Sequence, residues 1–181
     1  QQVKNYNRGL ILAQSDVQEL PFPASTFDAY LSYGVVAHFP QGAQDTITEA
    51  YRVLKTGGLI CITVPTINLV TNFVYDENNF LHKLRWNSLA RKLLGKPPLP
   101  LKENHLTYFK LYDRDEMRVI LETSKFKIIH EQPMNHSFNL YLGCEYFHKD
   151  TNGRTNSLAE GLAGLLRKFF PWSSCNYLLF V

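Results

Sequence analysis

The sequence predicts an α/β fold organised around a mostly parallel sheet, and two observations carry that expectation. Three apolar runs, LILA (10–13), AYLSYGVVAHF (29–39) and LICITVP (59–65), are nearly continuous rather than alternating. That is how strands covered on both faces read. Between the second and third runs lies one amphipathic helical pattern, giving the order strand, strand, helix, strand. With 181 residues, 45% hydrophobic and 19% charged, the chain suits one globular domain with an ordinary core.

Taken in order, residues 9–17 read as a strand that ends on polar Ser15 and Asp16. A turn-rich LPFPAST (20–26) leads into a strand over 27–36, where Gly34 allows a close backbone approach. Over 43–55, Ile47, Ala50, Tyr51 and Leu54 recur at helical spacing, with Asp45 and Glu49 on the wet side. Gly57-Gly58 is a helix C-cap signal, and 59–64 is a β-rich run stopped by Pro65. Residues 66–105 gather positive charge, with Lys83, Arg85, Arg91, Lys92, Lys96 and Lys102 against Asp76 and Glu77. Within them, Phe80, Leu81, Leu84, Leu89, Leu93 and Leu94 outline an amphipathic helix stopped by Gly95 and Pro97-Pro98.

Asp113 with Glu116 fits a capping box opening a helix buried through Met117, Ile120 and Leu121. Phe126–His130 reads as a strand, KDTNGRTN (149–156) as an exposed tip, 157–170 as a second amphipathic helix and 175–181 as a last strand. Cys61, Cys144 and Cys175 are far apart with no metal-ligand spacing, so no metal is expected. Cys61, inside a strand, reads as a core thiol in a reducing compartment. No apolar run is long enough to span a bilayer.

Joined together, LILAQSDVQELPFPASTFDAYLSYGVVAHFP…EAYRVLKTGGLICITVP resembles the back half of the class I S-adenosylmethionine-dependent methyltransferase domain. The resemblance is specific over 10–65 and extends by order of elements to nearly the whole chain. It implies a Rossmann-like methyltransferase fold whose last strand is inserted antiparallel, lacking its first strands in this chain. It also implies a glycine-rich turn upstream, since only QQVKNYNRG precedes Leu10. Residues 1–181 are then one N-terminally incomplete domain with a lid-like insertion at about 66–105 and a second at about 135–174. Two positions depart from the family pattern: Thr56 replaces a common proline, and Lys125 stands where glycine is usual. A non-glycine left-handed cap at Lys125 is strained, so that helix is expected to end differently.

The resemblance also implies a site. Asp16 matches the acidic residue that accepts from the adenine amino group, and the Val17 N–H the group that meets an adenine ring nitrogen. A carboxylate accepting from an amine is a charge-assisted bond. The other reading of Asp16 is a helix N-cap or turn aspartate. Asp28, after Phe27, reads as structural, satisfying local backbone donors. Ser32, Tyr33, Gly34 and Val35 fall at the strand end that lies beside the cofactor's methionine and sulfonium, or form an ordinary strand end. His38 is a base for a hydroxyl acceptor, or a turn cap or pocket wall. His105, Tyr108 and Phe109 match a segment bordering the substrate side, or are loop residues bonded to backbone.

The implied activity is methyl transfer from S-adenosylmethionine to a small-molecule or lipid-like acceptor, and the rival is a non-catalytic methyltransferase-like scaffold. No nicotinamide fingerprint supports a dehydrogenase, and a net charge of +3 is too small to argue for nucleic acid. The basic stretch 80–96 meets an anionic lipid surface, or packs as a lid helix with solvated charges. A cytoplasmic, membrane-peripheral location is the corresponding expectation.

Overall fold

The fold is seen in a computed structural model, which describes residues 12–76, 78, 92, 109–143, 147–150 and 153–181. The elements run β1 (Phe27–Tyr33), a 3₁₀ turn (Val36–His38), α1 (Gln44–Val53), β2 (Leu54–Pro65) and α2 (Leu69–Tyr75). After them come α3 (Arg114–Thr123), β3 (Glu131–Met134), α4 (His136–Gly143), α5 (Ser157–Phe169), α6 (Pro171–Ser174) and β4 (Tyr177–Phe180). The sheet order is β1-β2-β4-β3. β1 and β2 are parallel, and β4 is antiparallel to both β2 and β3, so β4 alone is reversed. The last strand is therefore inserted antiparallel, and β1, β2 and β3 end on the same side.

Burial follows the two-residue period of β2. Ile60, Ile62 and Val64 point into a core shared with Ile47 and Ala50 of α1, Met117 and Leu121 of α3, and Leu178 and Phe180 of β4. On the other face, Leu31, Tyr33 and Leu59 are 66, 62 and 53% exposed. Strands covered on both faces were expected, but the described helices leave these three in the open, because α1 and α3 both pack on the Ile62 side.

The strand expected at 9–17 is absent where it is described. Leu12–Ser15 have no regular structure, and Asp16 only bridges to Glu19. A strand needs a ladder partner for its N–H and C=O groups, and among the described residues β1 pairs on one side alone, with β2.

Gly57-Gly58 does not cap α1. The chain turns extended at Leu54, and the β1–β2 register jumps from Phe27↔Leu54 to Ala29↔Leu59. Gly57 takes φ +79° in that irregularity, and a Cβ on Gly58 would lie 2.9 Å from the Lys55 carbonyl oxygen. Asp113 caps α3 by accepting from the Asp115 N–H at 2.8 Å, but the reciprocal half of the expected box is missing. Glu116 instead pairs with Lys110 at 2.5 Å.

Lys125 does adopt the left-handed conformation, at φ +67°. Its N–H donates to the Glu122 carbonyl and that of Phe126 to Leu121, the pair of bonds that defines a Schellman cap. Phe126 then packs edge-on against Tyr51, with centroids 5.4 Å apart. The strand expected at 126–130 begins later, at Glu131, although Ile129 and His130 already bond to Val181. Helix α5 spans 157–169, within one residue of expectation.

Asp28 satisfies no backbone donor. Its exposed carboxylate pairs with Lys55 Nζ at 2.8 Å, while Phe27 packs at 5.0 Å on Phe22. Cys61 is half-buried on the open face, 3.8 Å from the Tyr33 hydroxyl, rather than in the core. Cys175 is the core thiol, and burial pushes its pKa up to about 11. Cys144 lies outside the described residues.

Candidate active site

The carboxyl ends of β1 and β2 form one floor, and in open α/β sheets ligands sit beyond such ends. Ser32 and Tyr33 lie opposite Ile62 and Thr63. Gly34 follows at φ +69°, its N–H aimed at Thr63 Oγ1, 3.1 Å away. A Cβ there would meet nothing within 4 Å among the described residues. The glycine thus serves the backbone conformation, and the described residues leave the space beside it open. Ser32 is buried, and its hydroxyl has no hydrogen-bond partner among the described residues. An unsatisfied buried hydroxyl is costly, which makes it a candidate contact for a bound group. Tyr33 is exposed, and its bond to Cys61 holds the phenol above its ordinary value.

The wall above this floor comes from two segments far apart in sequence. The Lys110 N–H donates to the Ala37 carbonyl at 2.9 Å, and the Tyr112 hydroxyl to that of Val36 at 3.3 Å. Tyr112 is fully buried. Its backbone also receives Thr66 Oγ1 at 2.9 Å and the Ile67 N–H at 3.1 Å, tying the wall to the end of β2. The result sets the exposed His38 ring 5.5 Å from that of Phe109. The structure thus joins the loop after β1 to the end of the ENHLTYF segment. His105, Tyr108 and the 80–96 stretch lie outside the described residues.

Asp16 and Val17 lie in a local turn, with Asp16 bridging to Glu19. The Asp16 carboxylate accepts from the Gln18 N–H at 2.9 Å, a turn of the kind aspartate often makes. The loop that follows is held to α1: Arg52 donates to the Leu20 and Phe22 carbonyls, and Glu49 Oε1 accepts from the Leu20 N–H at 2.7 Å. Arg52 also pairs with Glu49, and that pairing keeps the Glu49 carboxyl below its usual value.

Sequence reasoning missed Tyr112, the support of the wall, and the polar seam beyond it. Asn68 caps α2 in a reciprocal box with Thr71 and donates to the Cys175 carbonyl at 2.6 Å. Asn139 donates to the carbonyls of Ser174 and Cys175, both at 3.0 Å, and accepts from Asn176 at 2.7 Å. The Asn68…Thr71 spacing could have revealed the cap, but nothing local signals the seam. Among the described residues, no cluster of His, Cys, Asp or Glu could hold a metal ion, and no helix is long and apolar enough to cross a membrane.

Residues 1–62 match the family described as "Methyltransferase domain". The chain is 43% identical over 58 residues to 2-methyl-6-phytyl-1,4-hydroquinone methyltransferase 2, chloroplastic, of Oryza sativa subsp. japonica, covering 32% of this chain and 16% of that protein. It is 38% identical over 82 residues to the ubiquinone/menaquinone biosynthesis C-methyltransferase UbiE of Brucella canis, covering 40% of this chain and 29% of the relative. The matched part therefore spans less than a third of either relative. Among solved structures, a SAM dependent methyltransferase from Archaeoglobus fulgidus aligns at a TM-score of 0.54 and 16% identity, over 98% of this chain and 69% of its own. The [4+2]-cyclase SpnF aligns at 0.51 and 14%, over 99% and 57%. At such identities these two show a shared fold and nothing about the reaction.

Proposed function

We propose that the chain is part of a class I S-adenosylmethionine-dependent methyltransferase, on the match of residues 1–62 and the shared fold, and that the whole protein methylates a hydroxylated aromatic acceptor of quinol type. The observation that carries the reading is the meeting of the Phe109 ring with that of His38, 5.5 Å away in the loop that follows the carboxyl end of β1. The sequence relatives named above support the acceptor class, since both are named for methylating hydroquinone- or quinone-pathway compounds.

The residues present fit S-adenosylmethionine. Ser32 offers a hydroxyl with no partner among the described residues, the Gly34 backbone leaves room among them, and exposed Asp16 with the Val17 N–H suits an adenine edge. Bound there, the cofactor supplies an electrophilic methyl group. This chain's residues then have to hold the acceptor in line and manage one proton. Phe109 gives an aromatic surface for the acceptor ring. The His38 imidazole takes the proton from the acceptor hydroxyl, which raises the electron density of the ring; methylation at a ring carbon would leave S-adenosylhomocysteine and release the ring proton that the methyl group displaces. His105 and Tyr108 belong to the substrate side of the same reading, and the insertions at about 66–105 and 135–174 to its cap. A cytoplasmic setting remains part of the proposal, whereas the rice relative is named as chloroplastic.

Isothermal titration of S-adenosylmethionine into the full-length protein tests this. Asp16→Ala should weaken binding about ten- to hundredfold, the worth of one charge-assisted bond. Equal affinities would remove Asp16 from the site. Absence of binding by the unmodified protein would favour the scaffold reading over the enzyme.

A further inference from the structure

Helix α5 is packed the reverse of an ordinary surface helix. Its buried residues are the small ones, Ala159 and Ala163, while Leu158, Leu162, Leu165 and Phe169 are 64, 37, 57 and 62% exposed. The intervals of four, three and four residues put those four on one stripe. Phe170, also exposed, continues the apolar surface past the helix end. A helix needs a buried apolar face to be stable, so burying Ala while exposing Leu and Phe leaves the larger part of that energy unused.

Charge is distributed to match. Lys168 borders the stripe, its Nζ 5.5 Å from the Phe169 ring centre, and Arg167 precedes it. Arg154, just before the helix, has its side chain 75% exposed and pairs with Asp150 at 3.7 Å. The acid on the helix, Glu160, is engaged by the Thr155 hydroxyl. Apolar side chains in a stripe, aromatic residues at one end and flanking cations that can reach outward are the features of a helix lying in a membrane interface. The helix is also firmly mounted. It begins at Asn156, whose side chain accepts from the Ala159 N–H at 3.0 Å, and it is followed by α6, whose Ser174 and Cys175 carbonyls are held by Asn139. A rigidly held stripe loses little entropy on docking.

We propose that α5 docks the protein on an anionic lipid surface, with Leu158, Leu162, Leu165 and Phe169 entering the interface and Lys168 meeting lipid phosphates. The choice of a lipid rather than a protein partner rests in part on the acceptor reading above, because an acceptor with a prenyl-like tail resides in membranes. The test needs no turnover and so separates the two.

Full-length protein is sedimented with vesicles of phosphatidylcholine containing 30 mol% phosphatidylglycerol, and with pure phosphatidylcholine vesicles. Binding is expected to the anionic vesicles and to fall as salt rises. Leu162→Glu/Leu165→Glu should reduce partitioning about a hundredfold, since each leucine withdrawn from the interface costs about tenfold. Leu158→Glu alone should reduce it about tenfold. Leu158 is largely exposed, so melting of Leu158→Glu by circular dichroism should not change; the same melt reports any loss in the double variant, whose Leu162 is only 37% exposed. Wild-type protein that stays in the supernatant, or leucine variants that sediment like wild type, overturns the proposal. So does light scattering in which wild type is a dimer and the variants are monomers, which would make a second copy the occupant. Vesicle binding without S-adenosylmethionine binding leaves the docking surface standing and sinks the enzyme; the reverse result sinks the docking alone.

Discussion

Glu131 is the side chain whose removal should say most about how the far end of the sheet is held. It opens β3 with only 11% of its side chain exposed, between two arginines of α3. Arg114 donates to Oε2 through Nε at 2.8 Å and Nη2 at 2.6 Å. Arg118 makes a fork, Nε to Oε1 at 2.5 Å and Nη2 to Oε2 at 2.9 Å. Arg114 also stacks on Trp172 of α6 at 3.6 Å. One carboxylate therefore ties β3, α3 and, through the stacked cation, α6. Breaking a fully buried pair costs about 3–5 kcal/mol and an exposed pair below about 1. With both guanidinium groups about a third exposed, Glu131→Ala should lie between, at about 2 kcal/mol.

For a domain of this size, that loss lowers Tm by about 4–8 °C. Urea unfolding followed by circular dichroism measures it directly. Burial by itself would raise the Glu131 pKa, but the bonds from Arg118 and Arg114 outweigh it, and the folded value lies below the ordinary one. The folded state thus binds this proton less readily than the unfolded chain. The stabilisation is complete above the ordinary carboxylate pKa and is lost as pH falls through the lowered folded value. Wild type and Glu131→Gln should consequently differ at pH 7, and the gap should narrow as pH falls below the ordinary carboxylate range. Equal midpoints at pH 7, or a gap that widens on acidification, would refute the assignment.

Four further outcomes follow from single residues. Lys125→Gly should raise stability by about 0.5–1 kcal/mol in the same urea assay, because glycine takes φ +67° without the Cβ clash. Gly34→Val should lower stability by about 1–2 kcal/mol through the strain of a side chain at φ +69°, with a parallel loss of S-adenosylmethionine binding by titration. His136 is buried and, with Arg167 nearby, is held below the ordinary histidine range. Its unfolded form binds a proton more readily, so Tm should fall as pH drops from 7 to 5, and fall less in His136→Gln. His38→Ala should lower turnover about 10²–10⁴-fold with cofactor affinity near normal. Full turnover in this variant would make His38 a pocket wall.

What could be read from the sequence was what is written locally. The helix over 43–55, the strand at 59–64 and the helix over 157–170 each carry their own period, and all three are present. The open face could not be read, because apolar residues at 29–33 look the same whether or not anything covers them. Nor could the end of α3: local sterics argue against a left-handed lysine, yet two backbone bonds and the packing of Phe126 on Tyr51 offset that strain.

The candidate site divides along the same line. Ser32, Gly34 and His38 are close in sequence and fall together because a strand end gathers its own neighbours. Phe109 comes from some seventy residues away, placed there by a buried tyrosine, Tyr112, that bonds across to Val36. A hydroxyl inside a core is retained at a cost unless its bond fixes something. Here it fixes the distance between His38 and the aromatic ring above it. Tyr112→Phe keeps the volume and removes the hydroxyl that donates to Val36. If the wall is held as described, this variant should fold with a stability loss of about 1 kcal/mol and raise the acceptor KM while leaving cofactor affinity unchanged. A variant with unaltered acceptor KM would mean that the wall is positioned by its backbone bonds alone.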